Sequence, residues 1–233
     1  MFHELKQSIR CTLPTTCIVY GKNTDSDHSI CNECECKLSK LGDYCRRCGI
    51  EINGGLVTDS CCTNCRLSPP SFDSYTCVFP HVSPIGKSVA DFKFSARFDI
   101  GYPLSRFLAG AFNAYYIGQA KPEQLVPVPL HRNRLDSRGF NRASEIGNVL
   151  AKHCGVSISH CTLSRTRNTH PQTSMSSAAA RKANLRKGFD VSKSDSLAGV
   201  THIALIDDVV TTMATTQAIS RMLRAQQDYR IDV

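Results

Sequence analysis

Two adjacent carboxylates that lead into a run of hydroxyls are the side chains of this chain best suited to chemistry. Asp207 and Asp208 follow the apolar run 203–206, which predicts a buried strand, and a helical apolar period resumes after them. A helix N-terminus at a strand end offers free backbone N–H groups to a phosphate. Paired carboxylates accept hydrogen bonds from sugar hydroxyls or bind Mg²⁺. The pattern predicts a ribose-phosphate loop, here called the cradle, formed by Asp207, Asp208, Val209, Val210, Thr211, Thr212, Met213, Ala214, Thr215 and Thr216.

Cysteines are concentrated at the other end of the chain, where ten of the 13 lie within the first 65 residues. In a reducing compartment this density favours metal binding over disulfides. Gly49 follows one CxxC pair and is expected to ease the turn beneath a metal ion, and Cys61 is an alternative ligand to Cys62. Two CxxC pairs with zinc-ribbon spacing predict a closed structural Zn²⁺ site formed by Cys45, Cys48, Cys62 and Cys65.

A second cysteine group is incomplete. Cys17, Cys31 and Cys34 supply three thiolates, because Tyr20 stands where a CxxC pair would place another cysteine after Cys17. A tetrahedral Zn²⁺ ion needs a fourth ligand. Three residues remain open as that ligand: Cys11, His28 and Cys36.

Charge divides the chain between the same two regions. Residues 1–70 carry eight basic and eight acidic side chains, so the net charge of +8 belongs to residues 71–233. Between positions 131 and 188 there are eleven basic side chains and two acidic ones. This segment favours phosphate-bearing partners, such as single-stranded DNA, with Phe140 or Phe189 available for base stacking; a solvated basic face is the alternative. The predicted nucleic-acid contacts are Arg134, Arg138, Arg142, Arg181, Lys182, Arg186 and Lys187.

The elements that position these residues alternate between strands and helices. Such alternation predicts an α/β fold with a parallel sheet covered by helices on both faces. Residues 164–188 lack apolar periodicity and are expected to form a mobile loop, and the sequence stops inside the last predicted strand. Strands are predicted over 75–79, 124–129, 203–206 and 229–233, and helices over 86–94, 104–117, 141–153 and 215–223.

Length and composition set the domain organisation. A chain of 233 residues accommodates one ordinary domain and a small module. Hydrophobic content of 41% and charged content of 21% exclude a disordered chain. Residues 1–10 have no apolar signal-peptide core, and no apolar stretch reaches membrane-spanning length. We predict a cytoplasmic protein without a membrane span, with a cysteine-rich zinc module over 1–70 and an α/β domain over 71–233.

The order of these motifs resembles the ComF/GntX family of competence-associated phosphoribosyltransferase-like proteins. The resemblance implies a bacterial cytoplasmic protein with an N-terminal zinc finger and a type I phosphoribosyltransferase fold, linked to natural transformation. The cradle differs from the usual family pattern at Met213, where glycine would allow close backbone approach or a positive φ. The residues that carry the resemblance are the cysteine-rich head, 126–131, Arg134, 138–143, 165–167, Thr169, Gln172, Arg181, Asn184, Phe189 and the cradle.

The resemblance also implies roles for individual residues. Asp207 and Asp208 would be the catalytic residues and would hold the ribose hydroxyls of 5-phosphoribosyl-1-pyrophosphate (PRPP), directly or through Mg²⁺. The cradle threonines would bind the 5′-phosphate. His131 and Arg132 would face the pyrophosphate, and residues 164–188 would close over it.

Two functions stay open at this point. In one, a PRPP-binding protein acts in DNA uptake and handles imported single-stranded DNA, with proteins of the competence machinery as partners. In the other, the chain is an active phosphoribosyltransferase of nucleobase or nucleotide salvage without a direct role in DNA handling. Apart from the zinc module, no segment offers the hood that would recognise a base, so the sequence predicts no particular base.

Overall fold

The computed structural model describes residues 15–24, 29–37, 44–52, 60–79, 81, 86, 98–166, 188–192 and 197–233. Several predicted features lie outside these residues. They are the helix over 86–94 except its first residue, most of the loop over 164–188, and the side chains of Cys11, His28, Arg181, Lys182, Arg186 and Lys187.

The described residues form both strands and helices, as the sequence pattern predicted. The strands are β1 (Thr15–Thr16), β2 (Asn23–Thr24), β3 (Gln124–Pro127), β4 (Ser157–Ile158), β5 (Leu163–Arg165), β6 (Phe189–Val191), β7 (His202–Ile206) and β8 (Arg230–Asp232). The helices are α1 (Asn32–Lys37), α2 (Thr63–Leu67), α3 (Phe98–Tyr115), α4 (Arg132–Arg138), α5 (Arg142–Cys154) and α6 (Ala214–Arg224).

Four parallel strands form the central sheet, in the order β4-β3-β7-β8. Every residue of β7 is buried, because successive strand residues face opposite sides of a sheet and helices cover both. On one side Ile203 and Leu205 pack with Ile219 of α6. On the other side Ala204 packs with Leu150 of α5 and the end of α3. The mixed α/β fold with a parallel sheet is confirmed.

The predicted strand over 75–79 is wrong in its extent. Ser74 forms a parallel bridge with Asp232, and the N–H of Thr76 donates to the carbonyl oxygen of Val233 over 2.8 Å. The structure assigns no strand to residues 75–79, and their hydrogen bonding beside β8 ends at Thr76. The apolar composition of 75–79 instead serves packing against α3 and the sheet.

Several short elements of the structure were not predicted, among them α4 and the pair β5–β6. The short helix α4 is capped at its start by His131, whose Nδ1 accepts a hydrogen bond from the N–H of Asn133 over 3.2 Å, and at its end by Gly139. The antiparallel pair β5–β6 holds both ends of the 164–188 segment, with Arg165 opposite Phe189. Helix α4 and strands β5 and β6 are each too short and contain too few apolar residues to give a periodic signal.

The N-terminal part is small and rests on the sheet domain through specific contacts. The N–H of Tyr75 donates to the carbonyl oxygen of Arg46 over 2.7 Å. The Arg46 guanidinium lies 5.9 Å from the ring centre of Tyr115, a cation–π contact. None of the described helices has the length and apolar character needed to cross a membrane.

Candidate functional site

The carboxyl ends of β3 and β7 meet where the sheet changes its winding direction. From β3 the chain crosses to β4 on one side, and from β7 it crosses to β8 on the other. The N–H of Val128 donates to the carbonyl oxygen of Ile206 over 2.9 Å, so the turns after both strands start side by side. In open α/β sheets such a switch point leaves a crevice in which ligands bind.

Asp207 and Asp208 follow β7 at this crevice, and both are half-buried. The N–H of Asp208 donates to Oδ1 of Asp207 over 2.9 Å. Burial raises the pKa of Asp207 well above its ordinary value, and the negative charge of Asp208 raises it further. Two carboxylates held this close favour a cation, a shared proton or hydrogen-bond donors between them. The same arrangement suits sugar hydroxyls or a metal ion.

Arg142, at the start of α5, supplies positive charge to this pair. Its Nη1 forms an ion pair with Oδ2 of Asp208, and the two side chains are only 9% and 14% exposed. Burial lowers the pKa of Arg142, whereas Asp208 raises it. This geometry corrects the expectation that Arg142 presents its charge to a nucleic acid, because the guanidinium points into the crevice. The sequence predicted that Arg142 lies near the cradle, but it did not predict the ion pair with Asp208.

Further arginines influence these groups electrostatically. Burial lowers the pKa of Arg165, the positive charge of Arg134 lowers it further, and Asp207 raises it. Arg138 in turn lowers the pKa of Arg142. The carboxylates at the end of β7 are therefore paired with Arg142 of α5 and lie within electrostatic range of Arg165 of β5.

The loop from the carboxylates to α6 contains one unusual backbone conformation. Met213, which precedes α6, has φ of +55° and ψ of 7°, in the left-handed region that glycine adopts without strain. Thr211 and Thr212 are exposed, as a phosphate site requires. Thr216 differs, because it is buried and donates its hydroxyl to the carbonyl oxygen of Met213 over 3.0 Å. Its hydroxyl therefore stabilises the helix start, which corrects its expected role in phosphate binding.

The turn after β3 brings two further predicted residues to the same edge of the sheet. His131 is half-buried and accepts the hydrogen bond from Asn133 that caps α4. Arg132 is exposed as the first residue of that helix. Both are positioned by a helix that the sequence did not predict, although their place after β3 followed from the pattern.

Phe189 does not offer a stacking surface in this structure. Its side chain belongs to the main core and is 6% exposed. The Arg165 guanidinium lies 5.1 Å from its ring centre. Of the two phenylalanines predicted to stack on bases, Phe189 is thus covered, and Phe140 is half-buried before α5.

Four cysteine thiols converge at the predicted zinc-ribbon site. The Sγ atoms of Cys45, Cys48, Cys62 and Cys65 all lie within 4.8 Å of one another. The Sγ atoms of Cys48 and Cys62 are 3.7 Å apart, close to the separation of about 3.8 Å that a tetrahedral ion with bonds of about 2.3 Å to sulfur requires. Cys61 lies outside this group, and its thiol donates to the carbonyl oxygen of Cys62. The cluster can hold a metal ion and fits structural zinc.

Backbone donors prepare one thiol of this cluster for ionisation. Burial opposes the charge of Cys45, yet the N–H groups of Cys62 and Arg47 bring its pKa down to about 6. Burial raises the pKa of Cys48 to about 11. The N–H of Cys62 donates to Sγ of Cys45 over 3.3 Å. Hydrogen bonds of this kind orient a metal-binding thiolate.

The second cysteine group also converges, with three thiols. Sγ of Cys34 lies 3.4 Å from Sγ of Cys17 and 3.3 Å from Sγ of Cys31. Cys36 is exposed on α1 and is not part of this cluster. Within the described residues the group therefore has three thiols, and two of the candidate fourth ligands lie outside those residues.

The zinc-ribbon cluster and the cradle are in direct contact. Met213 packs against the core of the sheet domain and also against the cluster that contains Cys45 and Cys65. Gly49 has φ of +70°, and a Cβ at this position would lie 2.3 Å from Cε1 of Tyr75. The turn expected beneath the metal is therefore also the point where the module meets the sheet domain. No spacing rule in the sequence links positions 49, 75 and 213.

Comparisons with known proteins find relatives that cover most of the chain. No protein-family model matches it. Competence protein F of Haemophilus influenzae is 31% identical over 199 residues, which cover 84% of this chain and 85% of that protein. The DNA utilization protein YhgH of Salmonella typhi is 28% identical over 215 residues, with 91% and 92% covered. Competence protein ComFC of Bacillus subtilis is 28% identical over 204 residues, with 84% and 78% covered.

Proposed function

The chain belongs to the ComF family of competence proteins, and on that premise we propose that it acts in DNA uptake as a PRPP-binding protein. The role in DNA uptake and use follows from relatives named for competence and for DNA utilization. The finer statement, that the ligand is PRPP, rests on the crevice at the end of β7.

One observation carries the ligand assignment. The paired carboxylates Asp207 and Asp208 stand at a topological switch point, before the start of α6, with Arg142 paired to Asp208 and Arg165 within electrostatic range. A sugar with vicinal hydroxyls satisfies the carboxylates, and its anionic substituents satisfy the helix start and the guanidinium groups. PRPP has both features, with a 5′-phosphate and a pyrophosphate on one ribose.

The residues of the crevice divide the binding task. Thr211 and Thr212, with the N–H groups at the start of α6, bind the 5′-phosphate. His131 and Arg132 at the turn after β3 face the pyrophosphate, and Arg134 and Arg165 add positive charge to it. The carboxylates fit Mg²⁺, which would supply neutralising charge to the pyrophosphate. If a base is transferred, the arginines stabilise the negative charge that grows on the departing pyrophosphate.

Calorimetric titration with PRPP and Mg²⁺ tests the assignment. We expect Asp207→Asn with Asp208→Asn to weaken PRPP binding at least about tenfold, which corresponds to about 1.4 kcal/mol. Asp190→Asn with Asp228→Asn is the matched control, because both carboxylates are exposed and lie outside the cradle. Equal affinity in the two double variants would show that the carboxylates do not bind the sugar.

Single-stranded DNA is the second ligand that we propose, favoured by Arg132, Arg134 and Arg138 on α4. A short oligothymidylate should bind in a strongly salt-dependent manner, since phosphate contacts release counterions. Anisotropy competition separates the possibilities. Displacement by PRPP indicates one shared arginine surface, independent binding indicates two, and no salt-dependent DNA binding removes this part of the proposal.

A further inference from the structure

The positive charge of Arg142 is buried against the carboxylates that we propose to bind the ribose. Its Nη1 pairs with Oδ2 of Asp208, and both side chains are almost covered. Among the side chains that the structure describes, no other arginine and no lysine is buried to this extent. A buried guanidinium costs free energy unless an anion compensates it, so Arg142 and Asp208 depend on each other inside the crevice.

The backbone of α5 holds this guanidinium in place. Asn141, which caps the helix directly before Arg142, donates its Nδ2 to the carbonyl oxygen of Val128 over 3.0 Å. One turn further along, a Cβ at Gly147 would lie 2.8 Å from Cδ1 of Ile158. The helix is therefore tied to the turn after β3 and lies close on the sheet. Its first residue delivers a positive charge to the carboxylates from an anchored position.

Arg142 acts on both carboxylates of the pair. Burial lowers the pKa of its guanidinium, whereas Asp208 and, more weakly, Asp207 raise it. Arg142 cancels one of the two negative charges of an ionised pair, and it repels a second cation that approaches. It also contacts Oδ2 of Asp208, an oxygen that Mg²⁺ would need as a ligand. Arg142 and Mg²⁺ are thus alternative counter-ions of the pair, and the chain itself supplies Arg142.

A compensated pair still has room for the hydroxyls of a sugar. An ionised carboxylate has about four acceptor positions on its two oxygens. Oδ1 of Asp207 accepts from the N–H of Asp208, and Oδ2 of Asp208 pairs with Arg142. These contacts leave acceptor capacity on both carboxylates. Because hydroxyls carry no charge, the positive charge of Arg142 repels an incoming diol far less than it repels an incoming cation.

We propose that Arg142 is the counter-ion of the acidic pair, so that Asp207 and Asp208 bind the vicinal hydroxyls of a ribose phosphate without a divalent cation on the carboxylates. The inference rests on the proposed function, because it assumes a ribose phosphate in the cradle. Mg²⁺ that accompanies PRPP is then held by the pyrophosphate of the ligand. Arg142 is a positioning residue that makes the pair specific for a diol over a metal ion.

Ribose 5-phosphate separates this inference from the proposed function, because it has no pyrophosphate to bind Mg²⁺. It is titrated calorimetrically into the wild-type protein in millimolar Mg²⁺ and in buffer freed of divalent cations by a chelating resin before the protein is added. We expect the two affinities to agree within about threefold. A larger loss without Mg²⁺ overturns the inference while the proposed function stands. No binding in either buffer removes the proposed function, and the inference with it.

Substitution of Arg142 gives the second arm of the test. Arg142→Gln removes the charge and should weaken ribose 5-phosphate at least about tenfold in metal-free buffer, with Mg²⁺ restoring at least about threefold of that loss. Arg142→Lys keeps the charge and should remain independent of Mg²⁺. Arg224→Gln is the matched control, since its pair with Asp73 is partly exposed.

Two results with a folded Arg142→Gln protein would overturn the inference. Tighter binding than wild type would mean that Arg142 blocks the carboxylates. Equal losses with and without Mg²⁺ would mean that Arg142 supports the fold or touches the ligand and does not act as the counter-ion.

A measurement on the unaltered protein remains decisive if a variant does not fold. Mn²⁺ replaces Mg²⁺ as a paramagnetic ion that broadens the NMR signals of nearby ligand protons. An ion on the carboxylates would lie beside the sugar hydroxyls and would broaden the C2 and C3 protons of ribose 5-phosphate most. We expect the C5 protons, beside the phosphate, to broaden at least as much. Selective broadening of the C2 and C3 protons would place the ion on the pair and overturn the inference.

Discussion

The cysteine cluster and the crevice at the end of β7 assemble binding groups in two different ways. The cluster draws four like ligands from two short CxxC segments, and its thiols lie within 4.8 Å of one another. The crevice draws unlike charges from α4, α5, β5 and the loop after β7. Local spacing therefore specifies the first site, whereas only the folded sheet brings the second together.

The largest expected effect comes from breaking the cluster. Apparent binding of structural Zn²⁺ contributes about 10 to 16 kcal/mol in small zinc domains. Cys45→Ser should therefore remove one bound zinc ion and make residues 44–66 sensitive to proteolysis, while the sheet domain stays folded. Elemental analysis and limited proteolysis measure this. Cys161→Ser, at an exposed cysteine outside both clusters, is the control, and unchanged zinc content in Cys45→Ser would contradict the site.

The second prediction breaks the ion pair of the crevice. Arg142→Met leaves Asp208 partly buried without its counter-ion, and loss of one partner of a buried pair costs about 3 to 5 kcal/mol. Arg224→Met is the matched control, because Arg224 pairs with Asp73 where the two side chains are 34% and 43% exposed. That loss should stay below about 1 kcal/mol. Urea unfolding compares the two, and equal losses would indicate that the Arg142 pair is effectively solvated.

The third prediction tests the contact between the two regions. Gly49→Ala adds a Cβ 2.3 Å from the Tyr75 ring at a φ of +70°, whereas Gly21→Ala adds one at +69° with no atom within 4 Å. Both variants introduce the same backbone strain, of about 1 kcal/mol. Gly49→Ala should lose about 1 to 3 kcal/mol more through overpacking. Equal shifts in Tm would mean that the module does not rest on Tyr75.

The smallest expected effect is a gain in the free energy of unfolding, whereas the preceding variants lose stability. The raised pKa of Asp207 means that folding favours its protonated form, so its charge destabilises the folded state once the pH exceeds the unfolded pKa. Asp207→Asn should therefore stabilise the protein at neutral pH by about 0.5 to 2 kcal/mol while weakening PRPP binding. The gain should vanish near pH 3, where the aspartate is protonated in both states. A lower Tm than wild type at pH 7 would contradict this reading.

Sequence reasoning succeeded where a residue's neighbours in the chain decide its environment. The apolar run before Asp207 predicted β7, and the period with Ile219 and Leu223 on one face predicted α6. The spacing of Cys45, Cys48, Cys62 and Cys65 predicted their convergence. In each case the apolar period of a helix or strand, or the spacing of metal ligands, can be read from residues close together in the chain.

Sequence reasoning failed where a residue's contact partner comes from a distant part of the chain. Arg142 was predicted to contact nucleic acid, but the parallel crossover from β3 brings it to Asp208. Phe189 was available for stacking in the sequence, but its pairing opposite Arg165 buries it. The segment 75–79 has strand composition, yet its hydrogen bonding beside β8 ends at Thr76. These outcomes depend on sheet order, which no local pattern contains.

The backbone of Met213 has a consequence for how this chain can change over evolution. A left-handed methionine persists because contacts on both sides, with the cysteine cluster and with the sheet core, offset a strain of about 1 to 3 kcal/mol. Glycine at this position needs no such support. Across relatives, position 213 should therefore covary with the module residues that touch it, and a drift to glycine should permit the module to diverge or to be lost.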